Sequence, residues 1–204
     1  SLLGLETDSM RLGTAELKGS GRIARLPGGN SLGATLDFTA QGLALADAAM
    51  QAAVGDAVGG KAVLTFREGG GALNLPQLEL RGADYSASAR LRVEGLDSGL
   101  NTSGTVTLKA EDLSRFAALA GIDLGGAGEV VLEGEASRLS GAFDVVITAL
   151  TQGLRSGIPQ ADRLTAGETR LALSAVRDET GTTLRSLDLT AGGLAVTAGG
   201  KVSS

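Results

Sequence analysis

Cysteine, histidine and tryptophan are absent from the 204 residues, proline occurs three times, and the aromatic residues are four Phe and one Tyr. Without Cys or His there is no thiolate or imidazole to bind zinc, haem iron or an iron–sulfur cluster, and neither a Cys nor a His nucleophile. Oxygen-ligand cations such as Ca²⁺ or Mg²⁺ are the only metals left for the side chains to hold. Positive charge is also scarce: 18 Lys and Arg against 23 Asp and Glu give a net charge of −5. The basic residues are scattered singly, which argues against a nucleic-acid partner, because such a surface needs clustered Lys and Arg. No apolar run approaches the ~18 residues of a membrane-spanning helix. The start, Ser1 to Glu6, has neither the basic nor the apolar region of a signal peptide, and the chain reads as a piece of something longer. The lack of Cys fits a reducing compartment and an envelope protein without disulfides equally well.

What is abundant is Gly, Leu and Ala, which together make up nearly half of the chain. Apolar residues recur with a period of two from one end to the other, the mark of strands with one apolar and one wet face. The pairs begin at Leu3/Leu5, Met10/Leu12 and Ala15/Leu17 and continue through Leu36/Phe38/Ala40, Leu64/Phe66, Leu73/Leu75 and Leu78/Leu80. Tyr85/Ala87/Ala89/Leu91/Val93 is the longest clean run. Val106/Leu108, Val130/Leu132, Phe143/Val145/Ile147/Ala149, Leu171/Leu173, Leu187/Leu189 and Leu194/Val196/Ala198 complete the series. The parity changes at Pro76-Gln77, where a residue without an N–H predicts a bulge or an edge kink. Gly28-Gly29, Gly59-Gly60, Gly69-Gly70-Gly71, Gly125-Gly126 and Gly192-Gly193 read as turns. The expectation is an all-β chain of about thirteen mostly antiparallel strands of ordinary length.

Three stretches break the alternation. Leu45 to Val54 is Ala-rich behind Asp47 as N-cap and reads as a short helix. Glu111 to Ala120, acidic at its start and followed by Gly121, reads as a second. Gln160 to Ala166 suggests a third turn of helix. The whole of 1–204 reads as one segment with approximate repeat units at 60–110 and 167–204. At an offset of 109, Leu75, Leu78, Leu80 and Tyr85 match Leu184, Leu187, Leu189 and Leu194. Upstream, Leu64/Phe66 align with Leu171/Leu173 at an offset of 107, which calls for a longer hairpin at Arg177 to Thr182.

A one-sided amphipathic sheet must bury its apolar face. It can pair with a second sheet, close into a barrel or solenoid, or take cover from outside the chain. Few rings are present to fill a thick core. Thirteen strands ~4.8 Å apart would run roughly 60 Å along the sheet. Leaving several hundred Å² of such a face in water costs on the order of 10 kcal/mol at ~25 cal/mol per Å². Acyl chains could cover it instead. The candidate lining comprises Leu36, Phe38, Leu64, Phe66, Leu73, Leu75, Leu78, Leu80, Tyr85, Ala87, Val106, Leu108, Val130, Leu132, Phe143, Val145, Ile147, Leu171, Leu173, Leu187, Leu189, Leu194 and Val196.

Other motifs point to no chemistry. Glu129, Glu133 and Glu135 alternate on one strand, without the carbonyl loop of a calcium site, and read as a wet face. Asp97 and Asp112 are the pair one would consider for glycoside hydrolysis, but they fit a turn and a helix start better. Ser20-Gly21 and Gly69 to Gly71 lack the Gly-Lys-Ser/Thr of a phosphate loop. No catalytic residue, metal site or cofactor is expected.

Leu73 to Leu80, Tyr85 to Ala89, Val93 to Leu100, Ala110 to Phe116, Ala161 to Gly167 and Leu184 to Thr190 resemble segments of the AsmA-like envelope proteins of Gram-negative bacteria. Within that group they look like the TamB family, the inner-membrane component of the translocation and assembly module. The resemblance covers most of the chain through Leu/Gly/Ala patterning, and it lacks the family's membrane anchor and terminal signature domain. It implies a long sheet curled into an open groove, a β-taco, in the periplasmic portion of an inner-membrane-anchored protein. It also implies a role in phospholipid transport between inner and outer membranes, and in outer-membrane protein assembly with a barrel partner of the TamA type. A β-augmentation scaffold or chaperone and a closed β-solenoid stalk are the alternatives. Acyl tails in such a groove would leave headgroups in water, so weak headgroup selectivity is expected.

Overall fold

A computed structural model describes residues 2–7, 10–26, 29–68, 71–96 and 99–203. Thirteen strands form one sheet. They are β1 (Leu2–Thr7), β2 (Met10–Leu26), β3 (Gly29–Gln41), β4 (Ala44–Leu45), β5 (Ala57–Arg67), β6 (Ala72–Arg81) and β7 (Tyr85–Glu94). Then come β8 (Asn101–Ala110), β9 (Gly125–Ser137), β10 (Phe143–Arg155), β11 (Glu168–Asp178), β12 (Gly181–Ala191) and β13 (Leu194–Ser203). Three short helices interrupt them: α1 (Ala48–Val54), α2 (Ala117–Ala120), which follows a 3₁₀ turn at Leu113–Phe116, and α3 (Pro159–Leu164).

The strands lie side by side in chain order, with the two-residue β4 pairing off the main path against β2. Every described pairing is antiparallel. β1 and β13 stand at opposite edges, so the sheet is open. That openness corrects the closed-solenoid alternative. No large side chain is fully withdrawn from water among the described residues, as it would be between two packed sheets. The buried apolar residues are few: Leu12, Leu43, Ala53, Ala89, Ala110, Leu113 and Ala191.

Several boundaries differ from the sequence reading. Met10/Leu12 and Ala15/Leu17 belong to one strand of 17 residues, and β3, β9 and β10 each have 13, well beyond ordinary length. Leu73/Leu75 and Leu78/Leu80 also share one strand. β6 bulges at Pro76-Gln77 against both neighbours, which accounts for the change of parity. β12 bulges at Arg185-Ser186, 109 residues later, against both of its neighbours. The upstream strands are offset by 111 and not 107: Ala62 faces Leu78 as Leu173 faces Leu187. The second hairpin is thus shorter than the first, not longer, because residues 68–71 separate β5 from β6 and only 179–180 separate β11 from β12.

Glycine also behaves differently from expectation. Gly192-Gly193 and Gly71 sit in turns, whereas Gly28, Gly69 and Gly70 lie outside the described residues. Gly59-Gly60 and Gly125-Gly126 are inside β5 and β9. A Cβ on Gly60 would stand 2.1 Å from the Glu79 carbonyl oxygen and 2.7 Å from the ring of Phe38. A Cβ on Gly19 would meet Leu36 at 2.6 Å, and one on Gly134 would meet Val145 at 3.0 Å. Large side chains therefore lie across glycines of the next strand, which is how a single layer gains lateral packing without a second sheet.

Gly60→Val should accordingly destabilise the fold by about 1–3 kcal/mol in urea unfolding. Gly167→Ala, which meets nothing within 4 Å, should stay within about 0.5 kcal/mol of the parent.

Candidate apolar groove and its rims

Because partners in an antiparallel ladder share a face, the register decides where the candidate lining residues stand. Leu36, Leu78, Val106, Leu132, Ile147, Leu173 and Leu187 fall in one cross-strand row, joined by Ala62, Ala89 and Ala198. Phe38, Leu80, Ala87, Leu108, Val130, Leu171, Leu189 and Val196 form the next, through Gly60 and Ala149. Both rows run from β3 to β13 without a polar side chain. Leu64, Leu75 and Val145 lie in a third row with Leu91, Gly104 and Gly134. Phe66, Leu73 and Phe143 lie in a fourth, which also contains Val93, Thr102 and Arg177. Tyr85 and Leu194 lie in a terminal row with Ala110, Gly128, Thr151, Thr169 and Ala191. All the candidate residues thus share one face.

That face is half-covered by its own neighbours and by nothing else over most of its length. Leu132 and Val196 are each 37% exposed. Depressions open on the other, hydrophilic face. The one lined by Glu16, Lys18, Asp37, Lys61, Glu79 and Arg81 holds about 590 Å³. Ion pairs quilt this outer face, including Lys18–Glu16 at 2.9 Å and Lys109–Glu129 at 3.0 Å. The extra residue of the β12 bulge, Arg185, reaches across β11 to Asp144 on β10 and meets Ser174 on the way. Glu129, Glu133 and Glu135 alternate with the apolar-face positions of β9 and so lie on this hydrophilic side.

The two ends of the strands differ. All three helices are inserted at one end, between β3 and β5, β8 and β9, and β10 and β11. Asp47 caps α1 by accepting from the Met50 amide, as the sequence predicts. Asp112 caps the 3₁₀ turn by accepting from the Ser114 amide, which holds its carboxyl below the ordinary value. Asp97, its imagined partner, lies outside the described residues.

These insertions fold back over the terminal apolar row. The Tyr85 hydroxyl donates to the Val54 carbonyl at 3.1 Å, and its ring meets Phe116 edge-on at 6.0 Å. The Arg115 guanidinium lies 4.9 Å from the Tyr85 ring, donates to the Ala53 carbonyl and pairs with Asp84 in the β6–β7 turn. Burial pushes the Tyr85 phenol above its ordinary value, and the nearby Arg115 charge offsets part of that. Ala110, Thr151, Thr169 and Ala191 are 6%, 6%, 2% and 2% exposed, so this row is roofed. The hydroxyls of Thr151 and Thr169 find no partner there among the described residues. The sequence reading did not find this roof. Its signal was the placement of helical stretches only in alternate connections.

No family model, curated protein or solved structure shows significant similarity to this chain.

Arg115→Ala should loosen the roof while leaving the central ladder intact. The expected readout is faster amide exchange over 48–54 and 113–120, with a global loss of roughly 1–3 kcal/mol for a part-buried pair losing its cation.

Proposed function

We propose that the chain is a segment of a lipid-conducting groove, in which phospholipid acyl chains cover the apolar face. The observation that carries the reading is the pair of apolar rows running across the sheet from β3 to β13 with no second layer over them. Such a face is costly in water and inexpensive against hydrocarbon. It also has no lateral stop, so an acyl chain can pass from strand to strand without meeting a polar side chain. The resemblance of these segments to the TamB family supports a location in the periplasm, between the inner and outer membranes. There the groove would serve phospholipid transport and support outer-membrane protein assembly with a TamA-type barrel.

A second reading has its own observation. β13 has a ladder partner on one side only and is exposed over nearly its whole length. An edge of that kind accepts another strand, which suits a scaffold for assembling β-barrel proteins.

Photocrosslinkers at Ile147 and Leu189 should capture phospholipid in cells, whereas those at Asp144 and Asp188, on the opposite face, should not. Capture from the aspartate positions alone would sink the groove reading. Ile147→Asp or Leu189→Asp should block lipid transfer. Thr197→Pro in β13 should leave lipid transfer intact and would impair barrel assembly only on the second reading.

A further inference from the structure

The rim opposite the helices carries a different chemistry. Five hairpins turn there, β2–β3, β5–β6, β7–β8, β9–β10 and β11–β12. Each has an arginine within a few residues of its turn: Arg25, Arg67, Arg92, Arg138 and Arg177. Successive hairpins are two strands apart, so these guanidinium groups recur about every 10 Å along the rim. Arg92 is neutralised by Glu94. Arg25, Arg67, Arg138 and Arg177 are exposed and have no carboxylate partner among the described residues. Two of the neighbouring acids are engaged elsewhere, Glu68 accepting from the Asn30 amide and side chain and Asp178 from Thr180, while Glu179 in the β11–β12 turn is exposed. The roofed rim carries more acids on its connections, Asp47, Asp56, Glu111, Asp112, Asp123 and Asp162, against Arg163 and Arg115, the latter tied to Asp84.

We infer that the arginine-bearing rim is a headgroup rail: its guanidinium groups hold the phosphodiesters of phospholipids whose tails lie on the apolar rows. The inference rests on the groove reading and assigns a direction within it. Arg177 pairs in register with Phe143, and Arg25 has the parity of Ile23, so both start from the apolar side, whereas Arg67 follows Phe66 and starts from the hydrophilic side. From the Phe143 row to the Ile147 row is four residues, about 14 Å of strand. One leaflet's worth of hydrocarbon is about 15 Å, half of a ~30 Å bilayer core. A tail anchored by its phosphate at this rim therefore ends on the rows that are open and stops short of the roofed row at Thr151. Guanidinium is also the side chain best shaped for bidentate phosphate contact. The weak headgroup selectivity expected from the sequence then becomes a preference for lipids that carry a phosphate over those that do not.

The test uses two lipids with the same tails, dioleoylphosphatidylglycerol and dioleoylglycerol, each offered to the purified, delipidated protein, with bound lipid counted by mass spectrometry. The parent protein should retain more of the phospholipid. Replacing Arg25, Arg67, Arg138 and Arg177 together by Gln should cut that retention about fivefold or more, given the modest worth of each exposed ion pair, and leave dioleoylglycerol unchanged. Replacing Lys18, Arg90, Arg163 and Arg170 by Gln alters net charge equally and should change neither. Undiminished phospholipid retention in the rim variant, or an equal loss in the control variant, overturns the rail. So does binding of inorganic phosphate that the fourfold variant loses while its phospholipid retention is unchanged, which would mean that the arginines hold a phosphate ion and not a headgroup. Retention of neither lipid by the parent protein rejects the groove reading itself. The single substitution Arg177→Gln, read in the same way, keeps the inference testable if the fourfold variant fails to fold.

Discussion

A single layer of β-sheet has no interior, and the rest of this structure follows from that constraint. Its cohesion comes from the backbone ladder and from side chains reaching sideways to the next strand, where each cross-strand pair contributes roughly 0.2–1 kcal/mol. Long strands lengthen the ladder. Glycines within strands let Phe38, Leu36 and Val145 lie flat across a neighbour. On the hydrophilic face, Arg185 at a bulge spans two strand gaps to reach Asp144. Each device substitutes for the facing layer that a sandwich would provide. None of them covers the apolar rows.

The roof shows where the protein does invest in tertiary packing. Tyr85, Phe116, Arg115 and Asp84 knot α1, the β6–β7 turn and the 3₁₀ turn together, and they include the one tyrosine and one of the four phenylalanines. Covering only the terminal row gives the face a closed side and an open side. A one-sided roof orders the groove across its width while leaving its length free, which is the geometry a conduit needs and a storage pocket does not.

Much of this was legible as periodicity. Strand faces follow from alternation because side chains project with a period of two, and so every candidate lining residue falls on one face. Pro76 announced its bulge because it cannot donate to a ladder. What was not legible depended on partners distant in sequence. Gly60 looks like a turn residue until Phe38, 22 positions earlier, is laid across it by register. The upstream repeat offset was misread because Leu64/Phe66 and Leu171/Leu173 alternate identically, and alternation alone cannot fix register; the pairing of Ala62 with Leu78 and of Leu173 with Leu187 does. The rim arginines were written off as scattered because they are scattered in sequence. Only hairpin topology brings Arg25, Arg67, Arg138 and Arg177 to one edge.

That last point bears on how such a sheet can grow. The bulges at Pro76 and Arg185 and the helices α1 and α3 recur at offsets of 109 and 111. The repeated unit therefore carries a helix, its apolar rows and a bulge together, whereas the turning arginines shift by one position, Arg67 aligning with Asp178 and Arg177 with Phe66. Adding a unit lengthens the sheet while one rim stays helical and the other stays tight. An amphiphile lying across such a sheet meets the same polarity at every strand pair. On the groove reading, passage requires no reorientation, and moving by one hairpin exchanges one rim group for the next about 10 Å away, or about 20 Å where Glu94 neutralises Arg92.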